Sequence, residues 1–304
     1  MRYKLLFVGL GSIGKRRLSN ISTVLESRNI EFQADALRTK SVGHEGIIDV
    51  YLDKDRLPND YDIIFITNPT SLHYEAMEWL KEKTRHFFVE KPIFDTLCEF
   101  DFNKGICYTA CPLRFHPVVR SLKKFAQHND IFAFRAICSS YLPSWKASID
   151  YRSSYSAKKA MGGGVELDLI HEIDYLKWIF GKPAKVLLES VKASNLDIDS
   201  NDIALYIIKF PNVLGSLHLD YFGRYKQGKV REIEVFTDSD TVKFDIANNR
   251  IDCLKEELVE ILGNEDMYLN EMNYFLDILT LNKDEYYSNV EEALCSLKIA
   301  LGKF

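Results

Sequence analysis

The fold of the first third is decided by Leu5-Leu6-Phe7-Val8-Gly9-Leu10-Gly11-Ser12-Ile13-Gly14, an apolar run followed by the pattern G-x-G-x-x-G. A continuous apolar run is typical of a parallel strand that is covered on both faces. Helical spacing follows over residues 12–25. A glycine loop in that context predicts a dinucleotide-binding turn. Gly9 permits the tight turn, Gly11 lets the backbone approach a pyrophosphate, and Gly14 lets helix and strand pack closely.

The residues after the second predicted strand bear on the choice of nicotinamide dinucleotide. An acid at that point would bind the ribose 2′-hydroxyl, but residues 32–37 are followed by Arg38 and Thr39. A guanidinium suits a 2′-phosphate, so NADP(H) is the favoured cofactor. In the alternative, Asp35 is the acid that binds the 2′-hydroxyl and Arg38 is merely exposed, and the cofactor is then NAD(H).

Strand and helix signals alternate through the rest of the first third. The strands are predicted at residues 61–67, 86–90 and 105–110, and a helix at residues 73–81. This alternation indicates βαβ units and a doubly wound parallel sheet. Lys91 follows one of these strands, and a lysine at the carboxyl end of a parallel strand opens into the crevice where such sheets bind ligands.

The pattern changes after Pro117, so the predicted domains are residues 1–117 and 118–304. Turn signals separate closely spaced strands, which indicate a mostly antiparallel sheet. The strands are predicted at residues 131–141, 186–193, 203–210, 213–221, 230–237 and 241–246, and the helices at residues 118–126, 165–180, 267–281 and 290–301. The last helix is a candidate for packing back onto the first domain.

Composition excludes several classes of function. A net charge of -5 argues against general nucleic-acid binding, which uses a basic face. No uncharged apolar run approaches the length of a membrane helix. The six cysteines are scattered and include no Cys-x-x-Cys pair, which favours buried thiols in a reducing cytoplasm over disulfides or a zinc site. No metal is expected.

A cluster of ionisable residues follows Gly162-Gly163-Gly164 on the predicted helix 165–180. Asp168 and His171 are three residues apart and would share a helix face. One imidazole beside carboxylates, on a helix entered through glycines, suggests a general base. The alternative is a partly buried histidine that is satisfied by a neighbouring aspartate.

Five motifs together resemble the glucose–fructose oxidoreductase, inositol 2-dehydrogenase and rhizopine-catabolism (Gfo/Idh/MocA) family, over nearly the whole chain. They are GLGSIG at 9–14, NPTSLHYE at 68–75, EKP at 90–92, RFHP at 114–117 and GGGVELDLIHEIDYLKWIFG at 162–181. The resemblance implies an N-terminal Rossmann domain and a C-terminal α/β domain with a large open, mostly antiparallel sheet. It also implies that Lys91 lies by the reactive carbon and that the Lys91–Pro92 bond is cis.

The resemblance also implies which residues form the site. The cofactor residues are Gly9, Gly11, Ser12, Ile13, Gly14, Arg38, Thr39, Asn68, Pro69, His73, Glu90 and Lys91, and the substrate residues are Arg114, Tyr141, Trp145, Tyr151, Arg152, Asp168 and His171. Many relatives space the helix acid and histidine by four residues, whereas Asp168 and His171 are three apart. The role of His171 therefore carries over, and that of Asp168 stays open between catalysis and structure.

Aromatic rings beside Arg and Lys in residues 141–155 suit a sugar with an anionic group, although a surface loop with structural aromatics is an equal alternative. The stretch is similar to relatives in surface-polysaccharide and nonulosonic-acid pathways. The predicted function is an NADP-dependent oxidoreductase that acts on a secondary alcohol or ketone of a sugar derivative, with Lys91, His171 and Asp168 as catalytic residues. The alternatives are a non-catalytic dinucleotide-binding regulator on the same fold and a reductase of a C=N or C=C bond.

We also expect a homodimer or homotetramer. One face of the second sheet would be too apolar to leave in water, so a second copy should cover it. The candidates for that face are Leu205, Ile207, Leu217, Leu219, Tyr221, Val235 and Phe236. Successive residues of a strand point to opposite faces, so only some of them can lie there.

Overall fold

The computed structural model describes residues 2–146, 149–281 and 286–304. The chain forms two compact units. The first combines Met1–Ala110 with Tyr268–Leu294, and the second combines Cys111–Met267 with Cys295–Phe304. The predicted boundary between residues 117 and 118 and the docking of the last helix stay predictions. None of the described helices has the length and apolar character needed to cross a membrane.

The described residues contain the following elements in chain order. They are β1 (Arg2–Val8), α1 (Ser12–Ser27), β2 (Glu31–Leu37), β3 (Val50–Tyr51), β4 (Tyr61–Ile66), α2 (His73–Leu80), β5 (Thr84–Val89), β6 (Cys107–Thr109), α3 (Pro117–His128), β7 (Ile131–Ser140), α4 (Val165–Asp168), α5 (Ile170–Phe180), β8 (Lys185–Val191), β9 (Ile203–Lys209), β10 (Leu214–Asp220), β11 (Lys229–Thr237), β12 (Thr241–Asp245), β13 (Arg250–Cys253), β14 (Leu258–Ile261), α6 (Met267–Thr280) and α7 (Val290–Ala300).

The first unit contains a parallel sheet in the order β3-β2-β1-β4-β5-β6, which confirms the predicted doubly wound sheet. The direction of winding reverses between β1 and β4, and ligands of open α/β sheets bind beside such a reversal. Apolar strand residues are buried on both faces. Phe7 stacks on Phe65 with ring centroids 4.5 Å apart, and Phe275 of α6 meets Phe88 edge-on at 5.1 Å.

The second unit contains an eight-stranded sheet in the order β14-β13-β12-β11-β7-β10-β9-β8. Every neighbouring pair is antiparallel except β7 and β10, so the prediction of a large, mostly antiparallel sheet is confirmed. Helices cover one face of this sheet. Phe180 of α5 stacks on Phe134 at 5.3 Å, and Phe125 of α3 meets Phe244 edge-on at 5.7 Å.

The predicted single helix over residues 165–180 is wrong. It is interrupted at Leu169, whose backbone angles of φ -97° and ψ 21° end α4 before α5 begins. Across this point the Glu172 amide donates to the Leu169 carbonyl, three residues back, at 3.2 Å. Asp168 and His171 therefore lie on two successive helices, and helical i, i+3 spacing does not describe their relationship.

The opposite face of the second sheet is partly apolar. Leu205 and Ile207 are exposed by 44% and 52%, and Leu187 of the next strand by 50%. The face differs from the predicted set, because Leu217, Leu219, Tyr221 and Val235 are buried in the unit and Phe236 is only half-buried. Strand alternation accounts for the difference, since Leu217 and Leu219 share the inner face with Tyr206 and Ala204 as their cross-strand partners.

Candidate active site

The glycine loop between β1 and α1 has the shape expected of a phosphate-binding turn. Gly9 has a φ of +83°, and a side chain there would meet Asn68 at 2.8 Å. A side chain at Gly14 would meet the Gly9 carbonyl at 2.7 Å, so helix and strand approach too closely for any other residue. Gly11 faces open space, with nothing described within 4 Å of the position a side chain would take.

The same loop starts α1 without a side-chain cap. Gly11 is the N-cap residue, and the described residues place no side-chain hydrogen bond on it. The first amides of a helix lack intrahelical partners and carry a partial positive charge, which suits phosphate oxygens. The loop therefore fits a pyrophosphate both in space and in charge.

A cleft of about 180 Å³ lies at the carboxyl ends of β1, β2 and β4. Its walls include Val8, Leu37, Leu72 and Trp79. Asn68 also lines it, and the Asn68 side-chain oxygen is buried without a hydrogen-bond partner among the described residues. An apolar cleft with an unsatisfied acceptor, beside the glycine loop, fits a flat heterocycle that carries hydrogen-bond donors.

His73 of α2 connects the loop after β4 to the loop after β5. Its Nε2 lies 3.0 Å from the Asn68 carbonyl oxygen, and its Nδ1 lies 3.1 Å from the carbonyl oxygens of Pro92 and Ile93. Burial lowers the pKa of His73, although the carbonyl acceptors oppose that shift. The Lys91–Pro92 bond is cis, as the resemblance implied. The buried His73 ring thus holds the loop that follows β5 and contains Lys91.

Glu90 joins a buried charge cluster. Arg17 of α1 donates to Glu90 Oε1 at 2.5 Å and to Glu271 Oε2 at 2.6 Å. Tyr108 donates to the other oxygen of Glu271 at 3.2 Å. Burial alone would lower the pKa of Arg17, but the two carboxylates raise it above its ordinary value. The residue before Lys91 is therefore fixed to the helix that begins at the glycine loop.

Asp35 and Arg38 differ in their access to a ribose. Asp35 is buried and accepts a hydrogen bond of 2.9 Å from the Tyr61 hydroxyl. Burial raises the pKa of Asp35. Arg38 follows the last residue of β2, is half-buried, and donates to the Val42 carbonyl. Thr39 is exposed beside it.

Asp168 in the second unit is buried at the end of α4 and accepts a hydrogen bond from the Tyr221 hydroxyl. Burial and the nearby Asp168 raise the pKa of Tyr221, so this phenol stays a hydrogen-bond donor. His171 lies half-buried in the first turn of α5. No local motif indicates Tyr221 as the partner of Asp168, because the two residues are 53 positions apart in the chain.

Two predicted substrate arginines are paired with acids. Arg114 is buried and binds Asp174 through two hydrogen bonds of 2.8 and 2.7 Å. Arg152 is exposed, donates to Asp150, and lies 3.8 Å from Asp197. These contacts pair both guanidinium groups with carboxylates of the protein. Their contacts with a substrate stay predictions.

One aromatic residue of the predicted substrate group, Tyr141, contacts an arginine that sequence reasoning missed. Arg224 lies 4.2 Å from the centre of the Tyr141 ring and donates to the Tyr141 hydroxyl at 2.8 Å. Trp145 is 39% exposed and meets Tyr221 edge-on at 5.3 Å. Tyr151 is further along the chain, and its hydroxyl accepts from the Asp197 amide at 3.2 Å.

Comparison with known proteins places these features in a family. A family profile described as "Oxidoreductase family, NAD-binding Rossmann fold" matches residues 3–104, and one described as "GFO/IDH/MocA C-terminal domain" matches residues 119–243. An uncharacterized oxidoreductase of Bacillus subtilis, YrbE, is 26% identical over 247 residues, which cover 75% of this chain and 70% of that protein.

Two solved structures share the fold across both units. The myo-inositol 2-dehydrogenase of Lactobacillus plantarum is 18% identical, with a TM-score of 0.76 over 100% of this chain and 96% of that chain. The WlbA dehydrogenase of Bordetella pertussis, in complex with NADH and UDP-GlcNAcA, is 18% identical, with a TM-score of 0.77 over 99% and 95%. The two family profiles together match most of the chain, one in its N-terminal and one in its C-terminal part. The chain therefore belongs to the Gfo/Idh/MocA family and is an NAD(P)-dependent oxidoreductase.

Proposed function

We propose that the protein transfers a hydride between a nicotinamide cofactor and a secondary alcohol or ketone of a sugar derivative. The observation that carries the proposal is the setting of Lys91. This lysine follows β5, with Glu90 bound to Arg17 on one side and the Pro92 carbonyl held by His73 on the other. A braced lysine beside a dinucleotide turn suits a reacting oxygen. The named relatives, an inositol dehydrogenase and an enzyme bound to a sugar nucleotide, support the substrate class.

The first unit would hold the cofactor. Gly9, Gly11 and Gly14 would receive the pyrophosphate with the start of α1, and the cleft lined by Asn68 would receive the adenine. The bound nicotinamide would supply a carbon that accepts or gives a hydride. Arg38 supports NADP(H) over NAD(H), because Asp35 is engaged by Tyr61 and buried.

Side chains of this protein would remove the hydroxyl proton of the substrate and stabilise its oxygen. In the oxidative direction Lys91 would donate a hydrogen bond to the substrate oxygen and stabilise its developing negative charge. His171 would take the hydroxyl proton as the carbon loses its hydride and the carbonyl forms. Asp168, fixed by Tyr221, would orient its neighbours and need not change protonation.

The apolar face of the second sheet supports assembly of the subunits. Leu187 of β8 and Ile207 of β9 are exposed cross-strand partners, and Leu205 is exposed two residues before Ile207 on the same strand. A patch of this kind usually marks an interaction surface. We propose a symmetric homodimer through this face, and two dimers could pair into a tetramer.

The test is a screen of nucleotide sugars, polyols and free sugar acids for change in nicotinamide absorbance, with NADP⁺ and NAD⁺ separately. Once a substrate is found, Lys91→Ala should lower turnover by at least about a hundredfold while dinucleotide affinity changes little. Lys104→Ala, which removes an exposed lysine of the same unit, should leave turnover unchanged. A regulator without activity would bind the dinucleotide and show no turnover that depends on Lys91, and that outcome would contradict the proposal.

A further inference from the structure

A strongly basic segment follows β10. Residues 222–231 contain Arg224, Lys226, Lys229 and Arg231 and no acid, in a chain whose net charge is -5. Arg231 is matched by Glu172, whose Oε1 lies 2.7 Å from its Nε. Arg224 is exposed and forms no ion pair with any carboxylate among the described residues. The protein therefore holds this guanidinium without neutralising it.

The position of Arg224 is nonetheless defined. Tyr141 and Phe222 form a β-bridge that brings the two loops together. The guanidinium lies over the Tyr141 ring at 4.2 Å and donates one hydrogen bond to its hydroxyl at 2.8 Å. A guanidinium has five N–H donors, so most of them are not used by this contact. Stacking on an aromatic ring holds the fork in one orientation and lowers the entropy lost when a ligand binds.

A chain of contacts connects Arg224 to Asp168 within the second unit. The Leu142 amide donates to the Tyr221 carbonyl at 2.8 Å, which joins the loop after β7 to the end of β10. Trp145 packs edge-on against Tyr221, whose hydroxyl binds Asp168. A half-exposed indole and a guanidinium without a carboxylate partner thus belong to one chain of contacts that ends at a proposed catalytic residue.

We propose that Arg224, held by Tyr141, binds an anionic group of the substrate, either a carboxylate or a phosphate. The proposal rests on the proposed function, because it assigns the substrate to the acidic or phosphorylated sugar derivatives. A guanidinium binds both oxyanions through two parallel hydrogen bonds, and its charge, unmatched in the free protein, would be matched in the complex. The exposed face of Trp145 would support the apolar face of the sugar ring.

The experiment measures dissociation constants by calorimetry for two matched pairs of probes. Glucose and glucuronate differ by one carboxylate, and glucose and glucose 6-phosphate differ by one phosphate. At least one anionic probe should bind the wild-type protein about tenfold or more tightly than its neutral partner. The pair that shows the difference identifies the source of the anionic oxygens.

Arg224→Ala should abolish that preference. Tyr141→Phe should reduce it, because the guanidinium group of Arg224 loses its hydrogen bond to the Tyr141 hydroxyl. Lys226→Ala, which removes a neighbouring exposed charge, should retain it. Equal affinities within both pairs, no binding of either anionic probe to the wild type, or a preference that survives Arg224→Ala would each overturn the proposal. Dinucleotide affinity should be unchanged in Arg224→Ala. If Arg224→Ala abolishes the anionic preference but the wild-type protein turns over no sugar in the screen, the proposed function is refuted and the binding site at Arg224 is retained.

Discussion

Arg17 donates from Nε to the Glu90 carboxylate at 2.5 Å, and so connects the helix of the glycine loop to the residue before Lys91. The guanidinium and the second carboxylate, that of Glu271, are fully buried. Buried charges are stable only when they are paired with good geometry. The contact therefore ties the shape of the dinucleotide turn to the position of the proposed reactive lysine.

Removing Arg17 should destabilise the protein severely. Arg17→Leu would leave Glu90 and Glu271 buried without a counter-charge, which typically costs about 3–5 kcal/mol of unfolding free energy. Urea unfolding followed by circular dichroism measures the loss. Lys15→Ala removes an exposed cation from the same helix and should change stability by only about 0.5 kcal/mol. Similar losses in the two variants would show that the cluster contributes little.

Cofactor preference should depend on Arg38. Wild-type protein should bind NADPH more tightly than NADH, and Arg38→Ala should weaken NADPH alone by about 1.5–3 kcal/mol, the value of a charge-assisted hydrogen bond. Trp79 lines the cleft and provides a fluorescence signal for the titrations. Lys40→Ala, two residues away and exposed, is the control. Equal wild-type affinities for the two dinucleotides would remove Arg38 from the selection.

The pH dependence of substrate oxidation should show whether His171 is the general base. As a general base this residue must be neutral, so kcat/KM should fall on the acid side of its pKa in the free enzyme. His171→Asn should erase that acidic limb while the melting temperature stays near that of the wild type. A merely structural histidine would give the reverse result, with lower melting temperature and an unchanged pH profile.

Stability should fall in acid partly through His116. Its Nδ1 accepts a hydrogen bond from the Val118 amide at the start of α3, which requires the unprotonated ring. Burial, with Arg231 and Lys229 nearby, lowers the pKa of His116 to about 4. Between its unfolded pKa of about 6.5 and that value the unfolded chain binds more protons, so unfolding free energy decreases as pH falls.

His116→Gln should make the unfolding free energy less dependent on pH across that interval, as measured by urea titrations at several pH values. His128→Gln changes an exposed histidine at the other end of α3 and should leave the slope as it is. Some slope should persist in His116→Gln, because burial lowers the pKa values of His73 and His86 as well. An unchanged slope in His116→Gln would contradict the assignment.

Assembly should depend on the exposed apolar residues of β8 and β9. Ile207→Glu places a charge in the apolar face and should convert an oligomer into a monomer of about 35.2 kDa by light scattering, without loss of the fold. Lys255→Glu, on an exposed loop of the same unit, should leave the assembly intact. A wild-type protein that is monomeric at micromolar concentration would rule out obligate assembly.

Much of the first unit could be predicted because its strands are continuous apolar runs that are bounded by polar turns. The glycine spacing then identified the turn at Gly9. The short strands were missed for physical reasons. β3 has only two residues, and all four residues of β14 are exposed, so neither carries a burial pattern. The break at Leu169 was missed because its surroundings contain neither proline nor the glycine that usually marks a helix end.

The site was predicted by residue type more successfully than by contact. The glycines, Lys91 and His171 belong to local motifs, whereas the residues that hold the site in place by hydrogen bonds come from distant positions in the chain. Glu271 is 254 residues from Arg17, and Tyr221 is 53 residues from Asp168. Arg224 could have been suspected from the run of basic residues without an acid in residues 222–231. Its stacking on Tyr141 depends on strand pairing that the sequence alone does not specify.

The nucleotide-binding unit is made from two segments that are far apart in the chain, residues 1–110 and 268–294, and this has a consequence for synthesis. When the ribosome has produced residues 1–110, every strand of the parallel sheet exists, but α6 does not. The nascent sheet would expose the faces of Phe65, Phe88 and Tyr108 that Phe275 later covers. Arg17 would also lack the Glu271 carboxylate. The second unit also needs residues 295–304, which follow residues 268–294 in synthesis, so neither unit can complete its fold before α6 and α7 emerge. The first unit stays partly open and aggregation-prone until residues 268–294 are made.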